Sequence, residues 1–138
     1  MKLQLIPREE ACRLMAGLAT DPKTDTSGGI SSISDFIGDG SSFLLTEQDG
    51  KPMAAFSVLK VQREHGCALE VCAAQHLGAR IDLTGTILPE IERLFGGGCD
   101  VVNIYTRRRG LMRKLEKAGY TPVATIMQKK LKGEGDGR

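Results

Sequence analysis

The stretch that most limits how this chain can fold is a strand–helix–strand block near its C-terminus. Asp100-Val-Val-Asn-Ile-Tyr-Thr106 runs straight into Arg107-Arg-Arg-Gly-Leu-Met-Arg-Lys-Leu-Glu-Lys-Ala-Gly-Tyr120. Val101, Val102, Ile104 and Tyr105 favour a short buried strand. Thr106 is placed to cap the helix that follows. Leu111, Leu115 and Ala118 share one helix face. Gly119 suits the left-handed position just past the helix end, which lets Tyr120 fold back on the last turn. Pro122 stops the helix from resuming. Val123 to Leu131 then read as a final strand.

The rest of the chain supplies partners for that block. Lys2 to Ile6 alternate as a first strand. A helix follows, opened by Pro7 and striped by Ala11, Leu14, Met15 and Leu18. Asp21 to Asp39 is a Ser/Gly/Asp-rich loop with one short helix expected within Ile30 to Ile37. Phe43–Thr46, Met53–Val61 and Cys67–Ala74 form an antiparallel meander, turning at Asp49-Gly50 and Glu64-His65-Gly66. Gln75 to Thr86 read as a loop or helix start. Pro89-Glu-Ile-Glu-Arg-Leu-Phe95 is helical, beginning either near Thr86 or earlier with a kink. Gly96 to Gly98 end it, so this helix is the crossover between two parallel strands. The fold class is α/β (α+β): a mixed sheet with a meander, a βαβ crossover and a C-terminal helix–strand. The expected domain covers residues 1–132, with 133–138 as a flexible tail.

The chain's 138 residues suit one domain. Burial of roughly 68–70% of the unfolded surface is expected at this size, without a metal or disulfide staple. No apolar run approaches the roughly 20 residues of a membrane-spanning helix. The four cysteines lack a C-x-x-C pair and read as reduced thiols in a cytoplasmic protein. His65, Cys67, Cys72 and His76 do not read as a metal site, because Cys67 and Cys72 fall on opposite strand faces. Net charge is +2, with no Trp, four Phe and two Tyr. That balance argues against nucleic acid as a partner, and the basic run from Arg107 to Lys117 reads as a solvated helix face.

The element order, with Leu115-Glu-Lys-Ala-Gly-Tyr120 and Gln75-His-Leu-Gly78-Ala-Arg80, resembles the GNAT acetyltransferase superfamily. The former is similar to the family's Tyr-Glu-Lys-Leu-Gly-Phe ending, the latter to its pyrophosphate loop. The compact order is also similar to small phage-encoded members. The resemblance implies a protein that binds acetyl-CoA as a substrate, uses no metal, and passes the acetyl group to a small-molecule or protein amine. It implies pantetheine along Val71, Cys72 and Ala73, and pyrophosphate at Gln75, Gly78, Ala79 and Arg80. Arg108 would lie near the CoA phosphates, and others of the basic run (Arg107, Arg109, Arg113, Lys114 and Lys117) would join it there if that face is not simply solvated. Glu70 would be the base and Tyr105 a substitute acid. The chain departs from the family pattern at three places. Arg80 replaces a small residue, Arg108 an Asn, and Leu115 the Tyr that often serves as acid. Those departures leave a second reading open, a non-catalytic GNAT-fold interaction or virion-associated protein. A homodimer and a phage protein complex both remain open as assemblies.

Overall fold

The computed structural model describes residues 1–78 and 81–132. The expected site residues Ala79 and Arg80, and the expected 133–138 tail, lie outside those described. The sheet has five strands in the order β1-β2-β3-β4-β5. They are β1 (Lys2–Ile6), β2 (Ser41–Thr46), β3 (Pro52–Arg63), β4 (Gly66–His76) and β5 (Val101–Ile104). The first three pairings are antiparallel and the β4–β5 pairing is parallel. This is the mixed sheet that the meander turns and the helical crossover predict.

Period-two alternation on β3 divides the core. Ala54, Phe56 and Val58 face one side, where they meet Leu69 and Val71 of β4. They pack there with Ile87, Leu88 and Ile91 of the crossover, and with Leu115 of the last helix. Ala55 faces the other side, with Ile6, Ala11, Met15 and Ile37. Three aromatic rings, Phe43, Phe56 and Phe95, close the first layer at centroid distances of 4.9–5.9 Å. On the second face the Ser42 and Ser57 hydroxyls satisfy each other at 2.7 Å.

The helices follow local chemistry closely. The short helices are α1 (Arg8–Met15), α2 (Gly17–Thr20) and α3 (Ile33–Ile37). Ser32 caps α3 in a reciprocal capping box with Asp35, which explains an ordered helix inside a Ser/Gly-rich loop. The crossover begins with a π-helical turn, Leu83–Ile87, that continues into α4 (Leu88–Phe95). Pro89 therefore sits inside a longer helical run, the earlier of the two starts its position allows. The last helix, α5 (Arg109–Lys117), ends as its sequence requires. Gly119 has φ of 97°. The Tyr120 N–H donates to the Leu115 carbonyl, and the Gly119 N–H to that of Glu116. Both bonds of a Schellman turn are present.

Three expectations need correction. The first concerns the final strand. Residues 121–130 carry neither helix nor strand, and Val123, Ile126, Met127 and Leu131 are exposed. β-favouring side chains alone do not make a strand; a ladder partner does, and among the described residues this segment pairs with none. Its described tie is the Gln128 side-chain amide, which donates to the Ser27 carbonyl at 2.9 Å. The second concerns Gln75, which lies inside β4 rather than in the loop after it, because its partner Ala55 on β3 continues the ladder. The third concerns the α5 N-cap, which is Arg108, not Thr106; the Thr106 hydroxyl instead accepts the Arg108 N–H at 3.1 Å.

Candidate active site

β4 and β5 pair over only four positions, from Ala68 opposite Val101 to Val71 opposite Ile104. β4 then continues to His76 while β5 stops. The chain after Ile104 leaves the ladder, and a cavity of about 490 Å³ fills the V-shaped opening between it and β4. Val71, Cys72, Ala73, Gln75 and His76 form one wall, and Ile104, Tyr105, Arg108, Leu111 and Lys114 the opposite one. Leu18, Thr24 and Phe36 reach it from the α2–α3 side, and Leu83 from the crossover side. An opening lined from both sides of a sheet passes between its strands.

A bulge shapes the β4 wall. Ser57 of β3 pairs with Ala73 and Val58 with Val71, so Cys72 has no opposite number. The extra residue reverses the alternation: Leu69 and Val71 face the α4–α5 layer, but Ala73 faces α1 and α3. Bulges re-aim backbone and side chains in this way, often beside binding sites. Gly40 lets this region close up. A Cβ there would lie 2.9 Å from the Ile37 carbonyl oxygen and 3.3 Å from Cys72 Sγ.

At the apex of the V, Glu70 stands opposite Asn103. The Asn103 side-chain amide donates to Glu70 Oε2 at 2.5 Å, and the Tyr105 hydroxyl donates to Oε1 at 2.5 Å. The bond to the carboxylate, then partial burial, push the Tyr105 phenol up to about 12. It is therefore protonated at neutral pH. Burial and the same carboxylate also raise the Cys72 thiol. Tyr105 lies on the cavity wall, whereas Glu70 meets the cavity through the Tyr105 hydroxyl.

The sequence-derived residues now divide. Val71, Cys72, Ala73, Gln75, Tyr105 and Arg108 come together around one cavity, and Glu70 joins through Tyr105. Gly78 stands just beyond, its N–H on the Met53 carbonyl at 3.3 Å. Of the basic run, Arg108 and Lys114 reach the cavity, while Arg107 turns to the Asp25 carbonyl. Leu115 is 4% exposed and packs in the core. Tyr120 also packs inward, donating to Glu92 Oε2 at 2.8 Å; burial first and that bond second raise its phenol. Asn103 escaped sequence reasoning, whereas Lys114 belonged to the basic run that the resemblance set near the CoA phosphates. The available signal for Asn103 was a polar residue two positions before Tyr105 on one strand, and its register opposite Glu70 is tertiary information. Asp82, at the start of the crossover helix, also lines the cavity and places a carboxylate where the helix dipole favours an anion. Among the described residues no group of three or more His, Cys, Asp or Glu side chains is placed to hold a metal. No described helix is long and apolar enough to cross a membrane.

Solved structures share this arrangement across nearly the whole chain. Glucosamine-6-phosphate N-acetyltransferase from Arabidopsis thaliana superposes with a TM-score of 0.55 at 19% identity, covering 94% of this chain and 97% of that one. A GNAT family acetyltransferase from Staphylococcus aureus gives 0.55 at 12% identity, covering 94% and 98%. This chain has the GNAT fold. A wild-type protein from Thermus thermophilus also superposes, with a TM-score of 0.52 at 19% identity, covering 96% of this chain and 98% of that one. No protein-family model matches the sequence, and no curated protein does. The GNAT fold is thus carried by the order and pairing of elements, with little help from sequence identity.

Proposed function

We propose that this protein is an N-acetyltransferase that takes its acetyl group from acetyl-CoA and passes it to an amine. The observation that carries the reading is the Tyr105–Glu70 hydrogen bond at the apex of the β4–β5 V. The unpaired outer edge of β4 from Cys72 to His76 offers backbone groups to the amides of a pantetheine arm. Arg108 and Lys114 supply positive charge on the facing wall for phosphates. Gln75 and Gly78 flank the path to the crossover helix start, where a dipole favours a pyrophosphate.

Tyr105 and Glu70 serve as a proton relay in this reading. The Tyr105 hydroxyl donates to Glu70, so its oxygen lone pairs are free to face an amine in the cavity. As the amine nitrogen attacks the thioester carbonyl, Tyr105 oxygen takes its proton and passes its own to Glu70. The C–S bond then breaks, and the proton returns by the same path to the leaving sulfur. Amine and acetyl thioester become amide and thiol, with atoms and charge balanced. Asn103 holds the second carboxylate oxygen and acts as a positioning residue.

Calorimetric titration with acetyl-CoA, followed by turnover on a panel of amines, tests the reading. Binding is expected with wild type, and Glu70→Gln and Tyr105→Phe should retain binding while losing roughly 10²- to 10⁴-fold in turnover, the contribution of a positioned acid–base group. No heat at millimolar acetyl-CoA would refute the proposal. Heat without product on any amine would leave a CoA-binding module on the same fold.

A further inference from the structure

The closed end of the β4–β5 pairing, opposite the V, holds a pair that the proposed acetyl transfer does not use. Cys67, at the start of β4, and Cys99, in the turn before β5, lie 32 positions apart in sequence. Their sulfurs approach to 3.6 Å. Two backbone-anchored bonds fix that approach. The Asp100 N–H donates to the Cys67 carbonyl at 2.8 Å, and the Cys67 N–H donates to Asp100 Oδ2 at 2.8 Å. The first parallel pair, Ala68 with Val101, follows immediately. Both thiols are half-buried, so a small reagent can reach them. The contact with Cys99 raises the Cys67 thiol, and the nearby Lys60 ammonium opposes that rise by favouring a thiolate. Lys60 is held there by its bond to the Gly97 carbonyl at 3.2 Å.

We propose that Cys67 and Cys99 are a redox-modification site: a thiol pair that reacts with a low-molecular-weight disulfide and closes into an intramolecular disulfide clamping the root of β4 and β5. A disulfide needs sulfurs at about 2.05 Å, so closure moves them by roughly 1.5 Å, within reach of side-chain rotation. The step balances. One protein thiolate attacks the reagent's S–S bond, forming a mixed disulfide and releasing one thiolate. The second protein thiolate attacks the protein-side sulfur and releases the other. Two protein thiols are oxidised, the reagent disulfide is reduced to two thiols, and those thiols take up the two protons. The link would enclose β4 from Cys67 onward, the crossover and α4 in one covalent loop. It would restrict the unfolded chain while leaving the parallel pairing intact.

Incubation with oxidised glutathione, then alkylation and peptide mapping by mass spectrometry, tests the proposal. The expected product has lost about 2 Da, links Cys67 to Cys99, and leaves Cys12 and Cys72 alkylated. Its Tm should rise on the order of 10 °C and return on reduction. In Cys99→Ser the mixed disulfide should persist at Cys67, with no internal link. Four alkylated cysteines after incubation, or a glutathione adduct that persists on the wild-type pair, would overturn the proposal. Because mapping on the wild type decides the matter, a variant that failed to fold would not obscure the answer. The result is also independent of acetyl-CoA binding, so the two proposals stand or fall separately.

Discussion

Replacing Glu70 by Gln should return the Tyr105 phenol toward its ordinary value. The chain has two tyrosines and no tryptophan, so phenolate absorbance near the red edge of the tyrosine band is a clean signal. A Tyr120→Phe background, which keeps the packing, isolates Tyr105. Its phenol is raised from 10.0 to about 12, chiefly by the bond to Glu70. Each unit corresponds to about 1.4 kcal/mol, so the gross interaction approaches roughly 3 kcal/mol. Tyr105 is 58% exposed, however, and solvent screening reduces the net value to about 1 kcal/mol. The substitution should therefore lower the midpoint by between roughly 0.7 and 2 units. Because the folded value lies above the unfolded one, the pair contributes its full stability below pH 10 and loses it as pH rises through about 12. Far-ultraviolet circular dichroism confirms that the protein stays folded during the titration. Equal midpoints with Glu and Gln at position 70 would show that the carboxylate does not hold this phenol, and the relay reasoning would fall with it.

Phe56→Ala removes a fully buried ring that stacks on Phe43 and meets Phe95 edge-on. It should cost about 3–5 kcal/mol in urea unfolding, and a loss under about 1 kcal/mol would mean the layer can collapse onto the gap. Gly40→Ala should destabilise by roughly 1–3 kcal/mol, because its Cβ would press on two carbonyl oxygens, of Ile37 and Val58, that cannot swing away. A neutral Gly40→Ala in the same assay would refute that close approach. Asp82→Asn should tighten CoA binding about two- to five-fold by removing a carboxylate from the helix start that the pyrophosphate would face. Unchanged affinity by calorimetry would place the phosphates elsewhere.

Most of what rests on neighbouring residues was legible in the sequence; the α5 N-cap, expected at Thr106 and found at Arg108, was not. Asp49-Gly50 placed a turn where Gly50 has φ of 90°, and Gly119 placed a helix end. These signals are strong because a turn or cap involves only about four to six consecutive residues. Their order along the chain sufficed for the GNAT fold. Most of the cavity wall was also reachable, because Val71 to Gln75 follow one another on one strand edge.

What joins distant segments was decided by the tertiary structure alone. Strand propensity predicted a strand over Val123 to Leu131, but among the described residues no ladder receives it. The one-residue bulge at Cys72 depends on the register between β3 and β4, which no local pattern encodes. The pairing of β4 with β5 sets Asn103 against Glu70 and brings Tyr105 within hydrogen-bond range of it. It also carries Cys67 to Cys99 across 32 positions. Composition and periodicity determine which face a side chain occupies; only the closed sheet determines which side chain it meets there.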